Sequence, residues 1–196
     1  MIIRLFDIFF SGVGLILLSP LFLLLYLLIR LESKGGGFYA QERIGKDGRP
    51  FKLYKFRSMR QGSDKKGLIT VGGHDPRITR MGYFIRKYKL DELPQLWNVF
   101  IGDMSLVGPR PEVERYTRLY TEEQRRVLSV RPGITDWASI EYVDENTILG
   151  KAEDPDRAYV EIIMPDKIRY NMKYINHQTV GEYFKIIFTT FYRIIR

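Results

Sequence analysis

The sequence predicts an α+β fold, mainly helical, with one small β-hairpin and an N-terminal hydrophobic segment that enters a membrane. Three observations carry this. The stretch from Ile8 to Ile29 holds no charged residue. Between Phe38 and Met59, two arms flank the turn dipeptide Asp47-Gly48. Beyond them, apolar residues recur mainly at helical spacing.

The N-terminal segment reads as helix. Its 22 residues would run about 33 Å at 1.5 Å per residue, the depth of a bilayer core. It is too long and too rich in leucine for a signal-peptide core, and no small-residue cleavage site follows, so it is expected to stay attached. Ser19 and Pro20 interrupt it. Proline lacks the N–H of a helical turn and clashes with the carbonyl four residues back, so a membrane kink is expected there. The residues alone favour a kinked single span over a helix that bends and leaves by the face it entered. The flanks, Arg4 on one side and Arg30 and Lys34 on the other, lean weakly toward both ends being cytoplasmic.

From Arg30 to Arg60 there are nine basic residues against three acidic ones. Such a collar suits anionic headgroups or a phosphate site. Phe51-Lys-Leu-Tyr-Lys-Phe56 forms the second hairpin arm, and Gln61 to Gly73 reads as a polar loop. Ile78, Met81, Ile85 and Tyr88 mark one helix. Leu93, Leu96, Trp97 and Phe100 mark a second, which Gly102 would close. Thr121-Glu-Glu-Gln124 reads as a capping box, and Arg131-Pro-Gly133 as a turn. Two or three helices follow from about Pro155. The last, from Gly181, is too short and too charged to span and would lie in the interface plane or pack as an ordinary helix.

At 196 residues the chain fits one domain with a small appendage. A formal charge of +8 calls for an anionic partner: nucleic acid, a phosphorylated substrate or an anionic membrane. The absence of Cys excludes disulfides and thiolate metal sites and favours a reducing compartment. His74 and His177 are the only histidines, which argues against a poly-His metal centre. A divalent ion would sit on carboxylates and substrate phosphates, which suits Mg²⁺.

The chemistry centres on Asp91-Glu92, two adjacent carboxylates just before a helix that Pro94 is placed to start. Alone, such a pair is usually a cap or an ion-pair partner. Arg110 changes the reading. Fixed between Pro109 and Pro111, it has a restricted backbone that pre-organises its fork for phosphate. Asp166 is a candidate third acidic participant, with an ordinary role at a helix N-terminus as the simpler explanation. His74 fits a structured loop, His177 a structural role, and Trp97 and Trp137 core or interface positions.

Lys89-Leu-Asp-Glu-Leu-Pro-Gln-Leu-Trp-Asn-Val99 and Gly102-Asp-Met-Ser-Leu-Val-Gly-Pro-Arg-Pro-Glu112 resemble the core of the bacterial sugar transferases, the monotopic phosphoglycosyl transferases. The likeness extends through Tyr54–Met59, Asp75–Thr79, Arg131–Thr135 and the anchor with Ser19-Pro20. It covers nearly the whole chain, and at this length the chain resembles the minimal catalytic form.

That resemblance implies transfer of a phospho-sugar from a UDP-sugar to undecaprenyl phosphate, with release of UMP, at the cytoplasmic face of a bacterial inner membrane. It implies Asp91 as nucleophile, Glu92 as its partner, and Mg²⁺ held by Asp91 and Glu92. Arg86 and Arg110 would clamp phosphate oxygens. Pro109, Pro111, Lys55, Arg57, Arg131 and Asp166 complete the expected substrate-binding set. It also reverses the preference for a single span. Residues 1–33 become a re-entrant membrane helix, and residues 34–196 a catalytic domain carrying interfacial amphipathic helices. The partners expected are the donor, the acceptor and membrane lipids, not nucleic acid. Nothing in the sequence sets an oligomeric state, and a dimer is allowed. Two other readings compete: a membrane-tethered binding module without catalysis, and a nucleotide-sugar hydrolase using water.

Overall fold

The computed structural model describes residues 2–63 and 75–195. His74, and the polar stretch from position 64 to Gly73, fall outside them. The chain is mostly helical, with one antiparallel hairpin and a second, minimal parallel sheet.

The N-terminal segment is two helices, α1 (Ile2–Leu17) and α2 (Ser19–Glu32), bent by 60°. No single helix among the described residues is long and apolar enough to cross a membrane, whereas the bent pair together has the length and composition. The bend has a local cause. Pro20 has no N–H to give to the Ile16 carbonyl four residues back. The Ser19 hydroxyl donates to that carbonyl instead, at 2.8 Å. Pro20 then lies in the first turn of α2, where its missing N–H would have found no helical partner anyway.

β1 (Phe38–Ile44) and β2 (Pro50–Phe56) pair antiparallel, with Phe38 opposite Phe56 and Glu42 opposite Lys52. Asp47 and Gly48 take positive φ, 57° and 73°, as the turn dipeptide requires. α3 (Arg80–Lys87) is capped by the Thr79 side chain, and the Glu32 carboxylate accepts from the N–H groups of Arg80 and Met81 at 2.7 and 2.9 Å. α4 (Gln95–Ile101) ends at Gly102, left-handed at φ 102°, as expected.

Buried side chains tie these elements together. Asn98 accepts from the Tyr54 N–H at 3.0 Å and donates to the Lys52 carbonyl at 2.7 Å, so α4 is stitched to β2. Arg4 donates to the carbonyls of Val99 and Phe100, the unsatisfied end of α4. Leu25 and Ile29 of α2 pack with Phe56 and Ile85. Asp7 is 2% exposed, and its Oδ1 accepts from Ser105 Oγ, Leu106 N and Tyr183 Oη.

The parallel sheet departs from the sequence reading. Gly133 does not complete a turn but opens β4 (Gly133–Thr135), which pairs with β3 (Ser105–Val107). Two more bonds tie the segment after β3 to β4: Gly108 N–H donates to Thr135 O at 3.0 Å, and the chain curls back so that Gly133 N–H donates to Pro109 O at 2.9 Å. This pairing needs two close-approaching glycines. A Cβ at Gly133 would fall 2.1 Å from the backbone nitrogen of Gly108. Gly133→Ala is therefore expected to cost at least about 2 kcal/mol through forced backbone displacement, read as a lowered denaturation midpoint.

The rest is helical: α5 (Glu114–Thr117), α6 (Glu122–Arg125), α7 (Trp137–Glu141), α8 (Glu145–Gly150) and α9 (Pro155–Ala158). A π-helical turn, Tyr159–Ile163, then leads into α10 (Met164–Asn176) and α11 (Val180–Ile195). The Thr121/Gln124 capping box opens α6 as read. Tyr116, Leu149, Tyr159, Ile163 and Ile168 form the main core of this half.

Candidate active site

Asp91 and Glu92 lie in a single 3-10 turn, Leu90–Glu92, between α3 and α4. The chain enters this turn through Lys89, held left-handed at φ 55°. A non-glycine residue there stores about 1–3 kcal/mol of strain, a cost common where a site fixes its geometry. Stitching α4 to β2 through Asn98 brings the turn beside Lys55 on the hairpin.

The two carboxylates then diverge in environment. Glu92 is clamped: Arg110 approaches Oε1 at 2.5 Å and Oε2 at 3.3 Å, and Lys55 Nζ donates to Oε1 at 3.0 Å. Burial alone would raise its pKa, but Arg110 and Lys55 outweigh burial and hold the carboxyl well below the ordinary glutamate range. Asp91 is buried as a residue, yet its carboxylate has no hydrogen-bond partner among the described residues. Burial, and then the charge of Glu92, push its pKa upward against the pull of Lys55, Arg86 and Lys89. One acid is thus fixed and neutralised while the other is left available.

Asp91 faces a cavity of about 670 Å³. Among its described lining residues, nine are cationic and four are carboxylates, so the enclosed field favours an anion. Arg86 enters from α3, its Nε donating to Ser58 Oγ at 2.8 Å. Gly82 lets α3 approach that closely, since a Cβ there would meet the Ser58 carbonyl at 1.9 Å. Arg110 reaches in from the Pro109–Pro111 loop. That loop is held by the Gly133 ladder, by the Asp136 carboxylate accepting from Arg110 N at 3.2 Å, and by Arg43 donating to Pro111 O at 3.1 Å.

The family model described as bacterial sugar transferase matches residues 1–196. The chain belongs to that family. It is 38% identical over 194 residues to the UDP-N-acetylgalactosamine-undecaprenyl-phosphate N-acetylgalactosaminephosphotransferase of Aeromonas hydrophila, covering 96% of this chain and 42% of that protein. It is 35% identical over 190 residues to the UDP-glucose:undecaprenyl-phosphate glucose-1-phosphate transferase of Escherichia coli (strain K12), covering 95% and 39%. It is 36% identical over 195 residues to the exopolysaccharide production protein PSS of Rhizobium leguminosarum bv. phaseoli, covering 95% and 92%. The chain thus spans less than half the length of the first two relatives and nearly all of the third.

In this bacterial sugar transferase, the structure gathers Lys55, Arg86, Asp91, Glu92 and Arg110 around one cavity. Pro109 and Pro111 shape the Arg110 loop and line a neighbouring hollow of about 30 Å³ instead. Three expected ligand residues are used otherwise. Arg57 borders the cavity, but its fork donates to the carbonyls of Ser33 and Lys34, closing the end of α2. Arg131 is exposed, donates to Gly102 O at 2.8 Å and does not line the cavity. Asp166 lies in the first turn of α10, accepts from Tyr142 Oη at 2.7 Å and pairs with Arg169, also away from the cavity. The sequence reading missed Arg43, Glu112, Glu145, Tyr159 and Lys167, which line the cavity from elements that come together only in the fold. Two of them carried a local signal: Arg43 as a member of the basic collar, and Glu112 as the last residue of the proline-bracketed motif.

Proposed function

We propose that the chain transfers a phospho-sugar from a UDP-sugar to undecaprenyl phosphate, with Asp91 as the nucleophile. The observation that carries this is the unequal pair: Glu92 locked between Arg110 and Lys55, and Asp91 unbonded at the wall of a cation-rich cavity. The names of the Aeromonas and Escherichia relatives supply the donor and acceptor classes.

An Asp91 oxygen attacks the sugar-bearing phosphorus, the bond from that phosphorus to the bridging oxygen breaks, and UMP leaves with the electron pair. An oxygen of the lipid phosphate then attacks the same phosphorus, and the Asp91 carboxylate is released unchanged. Arg86 and Arg110 stabilise charge on the phosphate oxygens, and Lys55 with Arg110 keeps Glu92 from repelling the donor. The donor set fits Mg²⁺, which prefers one or two carboxylates completed by substrate phosphates and water. Asp91 would hold it directly, and Glu92, already shared with two cations, would sit beside it. Bound there, the ion would neutralise charge developing on the diphosphate.

The lipid phosphate lies at headgroup level, so the site must too. The bent α1–α2 pair exposes Leu5, Phe9, Leu17, Leu23, Leu24 and Leu31, and α11 exposes Phe188 and Phe191. Apolar surface of this extent requires cover. We read residues 1–33 as a re-entrant anchor in the cytoplasmic leaflet of a bacterial inner membrane, and α11 as an interfacial helix of the 34–196 domain.

A panel of UDP-sugars supplied with undecaprenyl phosphate and Mg²⁺ tests the reading. At least one donor is expected to give UMP and a lipid-linked diphosphosugar. UMP formed equally well without lipid, alongside free sugar phosphate, would show a hydrolase. No UMP from any donor would leave a binding module.

A further inference from the structure

The cavity is polarised. Beside Asp91 its lining cations are Lys55, Arg86 and Lys89, whose charges act on that carboxylate. Past Arg110 the wall changes to Arg43, Glu112, Glu145, Tyr159 and Lys167, drawn from β1, the motif loop, α8, the π turn and α10. Arg110 is shared by both ends: its fork donates to Glu92, and the charge of Glu145 also acts on it.

The second end holds an ion pair between a buried lysine and a partly exposed glutamate. Lys167 is 7% exposed, donates to Glu145 Oε2 at 2.8 Å and lies 5.5 Å from the Tyr159 ring centroid. Tyr159 in turn donates to Glu112. A half-buried pair of this kind adds little net stability, so stability is a weak reason for it. It opens on the cavity, and Tyr159 sits in a π turn, a deformation that recurs at functional sites.

We propose that this end of the cavity reads vicinal hydroxyls of the donor, Glu145 accepting from one and Lys167 donating to its neighbour. The inference rests on the transferase reading above and extends it. Each carboxylate here has its own counter-ion, Glu112 in Arg43 at 3.8 Å and Glu145 in Lys167 at 2.8 Å, so this end carries little net charge. The end at Asp91 keeps the cationic excess that attracts a diphosphate, and the neutral hydroxylated ring is what fits here. A hydroxyl both donates and accepts, and adjacent hydroxyls match a carboxylate beside an ammonium. Such a diol exists on the transferred sugar and on the ribose, and the experiment separates them.

The full chain is assayed with the UDP-sugar panel as wild type, as Glu145→Gln, and as the Glu145→Gln/Lys167→Met double variant, which leaves neither charge stranded. UMP inhibition and the unfolding midpoint are measured alongside. The expected result is a loss in kcat/KM of about 10- to 150-fold, the range for a charged hydrogen bond. If the sugar is read, the loss is unequal among epimeric donors and UMP inhibition is unchanged. If the ribose is read, all donors lose equally and UMP inhibition weakens in parallel. Donor ranking, kcat/KM and UMP inhibition all within twofold of wild type would overturn the inference and leave the transferase reading intact. An equal loss for all donors with unchanged UMP inhibition and a lowered midpoint would also overturn it, by showing a structural pair. A wild type that turns over no donor would overturn both.

Discussion

UMP release is expected to fall by about a thousandfold or more in an Asp91→Asn variant, as loss of a nucleophile commonly does. Asparagine keeps the size and one acceptor oxygen but cannot displace UMP as a carboxylate does. Because the Asp91 carboxylate holds no hydrogen bond among the described residues, the replacement strands no partner, and the folded state should persist. The variant therefore separates chemistry from stability. Wild type given donor without lipid should carry a transient adduct of phospho-sugar mass, and the variant should carry none. Near-normal turnover by Asp91→Asn would remove Asp91 as the nucleophile. Glu92→Gln offers a contrast. It breaks a clamp on Arg110 and Lys55, so its deficit should come with displaced cations rather than with loss of the attacking group.

Much of this arrangement is written locally. The hairpin follows from Asp47-Gly48 between two patterned arms, and α4 from its apolar spacing and the Gly102 stop. The Thr121 capping box and the Ser19-Pro20 break are contacts within four residues. Signals of that range survive in a sequence because backbone geometry alone decides them. The β3–β4 pair does not. Three-residue strands show no periodicity, and their pairing joins Ser105 to Gly133 across an intervening run of helix and loop. The site divides the same way. Asp91, Glu92 and Arg110 stand out as a local constellation, whereas Glu145 and Lys167 look like ordinary surface charges until α8 and α10 meet at the cavity wall. Arg57 shows how a cation can border the cavity and still turn its fork elsewhere. A basic residue in a basic collar suggests phosphate, but the nearest acceptors in the fold are the open carbonyls at the end of α2.

Asp7 is the case with most at stake for stability. It lies immediately before the uncharged stretch, and nothing in its local sequence marks it for burial. In the fold it is buried, and one oxygen collects three donors from β3 and α11. Those contacts fasten α1 to β3 and to α11, joining the two ends of the described chain through one buried side chain. Asp7→Ala would strand the Ser105 hydroxyl, the Leu106 N–H and the Tyr183 hydroxyl at once. Each buried unpaired donor costs about 1–3 kcal/mol, and partial relaxation brings the expected total to about 3–5 kcal/mol, as for loss of one partner from a buried polar cluster. Tyr183→Phe removes one donor and leaves the other two paired, so its cost should be only about 1–2 kcal/mol. Denaturation midpoints in one detergent would rank the two variants against wild type. The same clamp lies outside the cavity, so Asp7→Ala enzyme held below its unfolding transition should still release UMP. An Asp7→Ala midpoint within about 0.5 kcal/mol of wild type, the scatter of ordinary surface changes, would mean that α1 is held by its apolar packing and by Arg4 instead.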